Sequence, residues 1–121
     1  MSRVRVQGRQ ARLAQEGEVM GLKLTVSQGE GVTLSCDGES VRVEMIEVNA
    51  RRNRMRFAAL DESGAVRAVT ESRQSPHMAI RLGEHVAHVS ARITYRSEGA
   101  VSSMHFDAPR EVLILRDGVG E

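Results

Sequence analysis

Residues 41–48 read Val-Arg-Val-Glu-Met-Ile-Glu-Val, with apolar and charged side chains alternating along most of the stretch. A period of two places successive side chains on opposite faces of an extended chain, so this stretch predicts a β-strand with one buried face. The dipeptide Asp37-Gly38 precedes it and is typical of the tight turn of a β-hairpin. Strand-like stretches at 22–26, 32–34 and 54–57 flank this hairpin. The first half of the chain therefore predicts a β-meander.

The second half of the chain repeats the landmarks of the first half in the same order. Residues 55–59 (Met-Arg-Phe-Ala-Ala) match 104–108 (Met-His-Phe-Asp-Ala), and 28–30 (Gln-Gly-Glu) match 82–84 (Leu-Gly-Glu). The only two phenylalanines fall at corresponding points, and alternation predicts that both lie in the core. A unit of about 50 residues is marginally stable alone, so the two halves must share a core.

These patterns predict an all-β protein with little or no helix, built from two five-stranded repeats at residues 21–74 and 75–121. Residues 1–20 form an N-terminal arm whose structure the pattern does not decide. No apolar run approaches the roughly 20 residues of a membrane span, and the N-terminus lacks the apolar centre of a signal peptide. We therefore expect a cytoplasmic protein with no membrane partner.

Composition and motif spacing argue against catalysis and cofactor binding. The single cysteine, Cys36, predicts a small apolar residue in a strand or turn, with neither a disulfide nor a metal. His85 and His88 would point to opposite faces of a strand, which is unsuited to metal binding. We find no phosphate-binding glycine loop and no nucleophile paired with a base. The net charge of +1 limits any basic surface to a local patch. We expect no enzyme, catalytic residue, metal or cofactor.

Residues 107–117 read Asp-Ala-Pro-Arg-Glu-Val-Leu-Ile-Leu-Arg-Asp and resemble the fifth strand of the carbon storage regulator (CsrA/RsmA) family. The first half resembles the same family at residues 22–25 (Leu-Lys-Leu-Thr), 41–48 and 53–57, so the resemblance covers about residues 21–117. Members of that family form interlocked homodimers of five-stranded chains, in which the first strand of one protomer pairs with the fifth strand of the other. The resemblance implies a pseudo-dimer within one chain, and hence a monomer in solution.

The family binds single-stranded GGA-containing loops of mRNA leaders, so the resemblance also implies post-transcriptional regulation through an mRNA leader or a small RNA. Arg116 stands at the position of the fifth-strand arginine, while the two basic residues of the family's first strand are absent after Thr25. This predicts weakened or altered RNA recognition. The resemblance assigns one site to Leu24, Thr25, Val26, Leu115 and Arg116. It assigns a less complete site to Met78, Ile80, Arg81, Val69 and Thr70, with Arg81 and Arg54 as auxiliary phosphate partners.

Two other functions are compatible with the sequence. Because the cations are eroded, the chain could be a protein-interaction module or decoy that acts on a CsrA-type regulator or its antagonist. Residues 61–65 (Asp-Glu-Ser-Gly-Ala), after the arginine cluster at 51–56, also resemble the Asp-x-Ser-x-x-Gly signature of PilZ domains. That resemblance implies a β-barrel that binds cyclic di-GMP, although Gly64 directly follows Ser63 where the signature has two intervening residues.

Overall fold

The computed structural model describes residues 19–117, which form two antiparallel β-sheets without any helix. The predicted all-β class is therefore confirmed, and most of the predicted 1–20 arm lies outside the described residues. This part of the chain has no helix that could span a membrane. The strands are β1 (Val19–Thr25), β2 (Gly31–Cys36), β3 (Glu39–Asn49), β4 (Arg54–Leu60), β5 (Val66–Val69), β6 (His77–Leu82), β7 (His85–Arg96), β8 (Gly99–Pro109) and β9 (Leu113–Arg116).

The two halves of the chain exchange strands. Sheet I has the order β1-β8-β7-β6, and sheet II has the order β5-β4-β3-β2-β9. Each sheet contains a three-stranded meander from one half, β6-β7-β8 in sheet I and β2-β3-β4 in sheet II. The first strand joins the sheet of the second half, with Val19 opposite Pro109. The last strand joins the sheet of the first half, with Arg116 opposite Val32.

The hairpin predicted at Asp37-Gly38 is confirmed. Both residues have positive φ, 54° and 80°, as a two-residue hairpin turn with right-handed strand twist requires. The same place in the other meander is the turn between β6 and β7, where Gly83 has φ 63°. The two meanders are thus built on corresponding tight turns.

One apolar core joins inward-facing residues of both sheets. Alternation along β4 and β8 places Phe57 and Phe106 in it, and both are 0% exposed, as predicted. Met55 and Met104, two residues earlier on the same strands, are also 0% exposed. The correspondence between residues 55–59 and 104–108 therefore holds in space as well as in sequence.

Three sequence-based expectations about the repeat need correction. The resemblance implied that the first strand pairs with the fifth strand of the other half. Instead, the first strand pairs with β8 and the last strand pairs with β2. The described part of the second half has four strands rather than five, because residues 85–96 form one long strand. The Gly29-Glu30 and Gly83-Glu84 landmarks also differ in place. The first links β1 to β2, while the second links β6 to β7 and corresponds to Asp37-Gly38.

Candidate nucleic-acid interface

Strand β1 forms one edge of sheet I among residues 19–117. The N–H of Val26 donates to the Ser102 carbonyl at 3.1 Å, which fixes the alternation of the ladder between this segment and β8. Residues an even number of places from Val26 bond to β8, so the backbone groups of Gly21, Lys23 and Thr25 point away from the sheet. All three of these residues are exposed. The edge thus offers outward N–H and C=O groups to a ligand.

Arg116 lies at the end of this edge. Its guanidinium donates a hydrogen bond to the outward carbonyl of Thr25, joining the last strand of the chain to the first. An arginine carries five N–H donors, so this bond leaves others for a ligand. Leu115 precedes it and is half-buried opposite Thr33. The structure therefore brings together Thr25 and Arg116 of the first predicted site, through a side chain rather than a strand pair.

Asp117 anchors the end of β9 and so positions Arg116. Its Oδ2 accepts hydrogen bonds from the N–H of Gly31 at 2.9 Å and from the Arg42 guanidinium at 2.6 Å. Its Oδ1 accepts from Nε of Arg42 at 3.2 Å. This two-pronged pairing lowers the pKa of Asp117, with the Arg42 hydrogen bond as the main cause and the Gly31 N–H as a further one. Sequence reasoning missed this clamp because its residues belong to different strands.

The apolar members of the first predicted site contribute mainly to the core. Val26 is 1% exposed, so its side chain cannot contact a ligand. Leu24 is partly buried and packs against the same core. A cavity of about 80 Å³ lies beside them, lined by Val26, Glu30, Gly31, Arg116 and Asp117. Recognition at this edge would rest on backbone groups and the arginine.

The second predicted site is not assembled in the same way. Met78 and Ile80 face the core from β6, while Arg81 on the same strand is exposed. Val69 lies on β5, which belongs to the other sheet. The Thr70 hydroxyl accepts the N–H of Phe57 at 3.0 Å and so belongs to the local structure of sheet II. These residues do not share one sheet edge.

Two further cations, Lys23 on β1 and Arg92 on β7, lie on the outer face of sheet I. Lys23 lies opposite His105 on β8, and Arg92 lies opposite Ser103. Burial is the main factor that lowers the pKa of His105, and the charges of Lys23 and Arg92 lower it further. Sequence reasoning did not connect these residues, since strand pairing alone brings them together. Arg54, the auxiliary phosphate partner, lies elsewhere and donates to the Ser72 carbonyl at 3.0 Å.

The segment that resembles the PilZ signature forms a closed turn. The Oδ1 of Asp61 accepts hydrogen bonds from the Ser63 N–H, the Ser63 hydroxyl and the Ala65 N–H, at 2.8, 2.6 and 3.0 Å. These bonds lower the pKa of Asp61, with the Ser63 side chain as the main cause. The carboxylate thus holds its own loop in shape.

Comparison of the chain with protein-family models, curated proteins and solved structures gave no match. A function must therefore be argued from the site geometry and from the resemblance of residues 21–117.

Proposed function

We propose that this protein binds single-stranded RNA along the outer edge of β1, with Arg116 as the main cation. The observation that carries the proposal is the hydrogen bond from Arg116 to the outward carbonyl of Thr25, which places a guanidinium at the end of a strand edge that no strand within residues 19–117 covers. Unstacked bases are read through hydrogen bonds on their edges, and both backbone groups and arginine supply such bonds. Lys23 on β1, and Arg92 on β7 beyond β8, add positive charge on the outer face of the same sheet for phosphate groups.

The strand exchange supports a tandem origin for this site. In a pseudo-dimer of carbon storage regulator repeats, each half is completed by strands from the other half. The chain shares with that arrangement the exchange of β1 and β9 between the two halves, although β1 pairs with β8 and β9 with β2 rather than with each other. We infer that this chain is a single-chain relative of that family and acts in post-transcriptional control of an mRNA leader or a small RNA.

The arrangement gives one site rather than two. β5 occupies the place beside β4 that β1 occupies beside β8, so its outer edge is the counterpart of the RNA-binding edge. Arg116 reaches β1 from β9, the strand that pairs with β2. β6 is the counterpart of β2, and in the described chain no strand pairs with its outer edge, so no residue corresponds to Arg116 beside β5. We therefore expect one RNA molecule per chain.

Fluorescence anisotropy with a labelled GGA-containing hairpin RNA tests the proposal. Arg116→Ala should weaken binding by about 10- to 100-fold, because a hydrogen bond to a charged group is worth roughly 1.5 to 3 kcal/mol. Arg110→Ala, which removes an exposed arginine from the turn before β9, is the matched charge control and should weaken binding far less. Equal losses in the two variants, or no binding at micromolar protein, would refute the proposed site.

A second function, capture of a CsrA-type protein or its antagonist, is favoured by the outer edge of β6. The Pro76 carbonyl accepts from the Ala91 N–H at 3.1 Å, so ladder alternation points the backbone groups of His77, Ala79 and Arg81 away from β7. A partner strand could add to this edge by β-augmentation. Gel filtration of RNA-free protein with a CsrA-type partner tests this function. If the wild-type chain co-elutes with the partner and Ala79→Pro does not, the function is supported. If the wild-type chain and the partner elute separately, the function is excluded.

A further inference from the structure

The two corresponding hairpin turns, Asp37-Gly38 in sheet II and Gly83-Glu84 in sheet I, meet in space. The N–H of Gly83 donates to Oε2 of Glu39 at 3.0 Å. Gly83 has φ 63°, which favours glycine, and a methyl group there would lie 3.2 Å from Oδ2 of Asp37, so that side chain would have to shift slightly. Side chains that flank the two turns are thereby brought together from distant parts of the sequence.

Three metal-ligating side chains converge where these turns meet. Cys36 ends β2, Asp37 follows it, and His85 begins β7. One ligand atom from each residue lies within 4.8 Å of the other two, and Oδ2 of Asp37 lies 3.9 Å from Nε2 of His85. In a tetrahedral zinc site with bonds of about 2.0 to 2.3 Å, ligand atoms lie roughly 3.3 to 3.8 Å apart. Small side-chain rotations would therefore close this set around an ion.

We propose that Cys36, Asp37 and His85 bind a zinc ion through one sulfur, one carboxylate oxygen and one imidazole nitrogen. Cysteine sulfur, histidine nitrogen and carboxylate oxygen are the three kinds of protein ligand that bind zinc. Three protein ligands leave a fourth position open. Cys36 and Asp37 also line a cavity of about 450 Å³, together with Glu39 and Glu111.

The charge around the cluster favours a cation. No arginine or lysine lines the cavity. Within residues 19–117, the salt bridges give Asp37 only His85 as a partner and include neither Glu39 nor Glu111. Burial is the main factor that raises the pKa of the Cys36 thiol, and the charge of Asp37 raises it further. A raised pKa favours the protonated thiol. A bound Zn²⁺ would instead favour the thiolate by coordinating it, and the thiol proton would be released to solvent.

The proposed metal site is separate from the proposed RNA edge. Cys36 lies at one end of β2, while Val32, near the other end, pairs with Arg116. Because the ligands come from both sheets, the ion would join the two halves of the molecule. Sequence reasoning could not find the site, since His85 approaches Cys36 only through the meeting of the two turns.

Titration of the full chain with Zn²⁺ in competition with a chromogenic chelator measures affinity and stoichiometry. We expect one equivalent to bind. His85→Gln and Cys36→Ser should each weaken binding by at least about tenfold, which is the smallest loss typical of even an outer-shell partner. His88→Gln is the matched control, because His88 is exposed on the same strand but on the opposite face, and it should bind zinc like the wild type.

Titration with Co²⁺ reports the ligands directly. Binding through Cys36 should produce a thiolate-to-cobalt charge-transfer band in the wild type, and Cys36→Ser should abolish it. If Cys36→Ser fails to fold, His85→Gln still tests the site, because His85 is partly exposed. A zinc affinity unchanged in His85→Gln would overturn the proposal, as would wild-type protein that binds neither ion. None of these outcomes depends on RNA binding.

Discussion

At the scale of single residues, Asp117 connects stability to the position of Arg116, the arginine that we propose binds RNA. Its carboxylate holds Arg42 on β3 and the Gly31 N–H at the start of β2. Gly31 has no room for a larger residue unless Arg42 moves, since a methyl group there would lie 2.8 Å from the guanidinium. The backbone of Asp117 also donates to the Gly31 carbonyl at 3.0 Å. The residue after Arg116 is thus fixed on both its backbone and its side chain.

Asp117→Asn should make the protein less stable at neutral pH but not in acid. Because Arg42 lowers the pKa of Asp117 below its usual 3.8, the ionised carboxylate stabilises the fold above that pH. This contribution is lost as pH falls through the lowered folded-state pKa. The pair is partly exposed, so we expect a loss of roughly 1 kcal/mol in urea unfolding at neutral pH. The difference from wild type should shrink well below pH 3.8. A pH-independent difference would contradict this origin.

His105 should give the protein a separate sensitivity to mild acid. Burial, with Lys23 and Arg92, lowers its pKa below the usual 6.5, while the charge of Asp107 opposes the shift. Below that pH the unfolded chain takes up a proton that the folded protein resists, so stability falls as pH drops. Urea unfolding at about pH 7 and about pH 5 should show a smaller acid loss in His105→Gln than in wild type. The exposed-residue control His88→Gln should behave like wild type, and an undiminished loss in His105→Gln would contradict the assignment.

At the scale of strands, we expect proline to lower the stability of the protein more when it is placed in β2 than when it is placed in β6. The two strands hold corresponding places, but β9 covers the outer edge of β2 only. The bond from the Asp117 N–H to the Gly31 carbonyl sets the alternation, so Thr33 bonds to β9, whereas the matching Ala79 points outward. Thr33→Pro should cost more than about 1 kcal/mol, the net value of one ladder hydrogen bond. Ala79→Pro should cost much less, because edge strands tolerate proline. Equal shifts in the urea midpoint would show that the β6 edge is also paired.

The strands themselves were largely predictable from sequence, because side-chain alternation and a dipeptide such as Asp37-Gly38 are local signals. The pairing of strands was not, since register depends on which buried faces meet across the whole chain. The Gly29-Glu30 and Gly83-Glu84 landmarks illustrate the difference. Both are turns, but they link different pairs of strands. The resemblance placed Arg116 near the first strand, yet nothing local indicated the Arg42–Asp117 clamp or the approach of His85 to Cys36.

At the scale of the whole molecule, the strand exchange predicts a monomer. If the two halves were separate chains, the edges of β8 and β2 would be covered by strands of the partner chain. Here β1 and β9 of the same chain cover them. Light scattering after gel filtration should therefore give a mass near 13.3 kDa. A stable dimer at micromolar concentration would argue against the single-chain pseudo-dimer.

The exchanged strands also constrain when the molecule can fold. Val19 pairs with Pro109, and Val32 pairs with Arg116. The early strands β1 and β2 therefore stay without these partners until β8 and β9 have been synthesised. Sheet I cannot be completed on the ribosome before β8 has emerged, nor sheet II before β9 has emerged. Long-range pairing of this kind slows folding, so refolding from urea should take milliseconds to seconds. Until then the unpaired edges of β2 and β8 are open to other chains, and the interval before closure is when this protein is most exposed to misassembly.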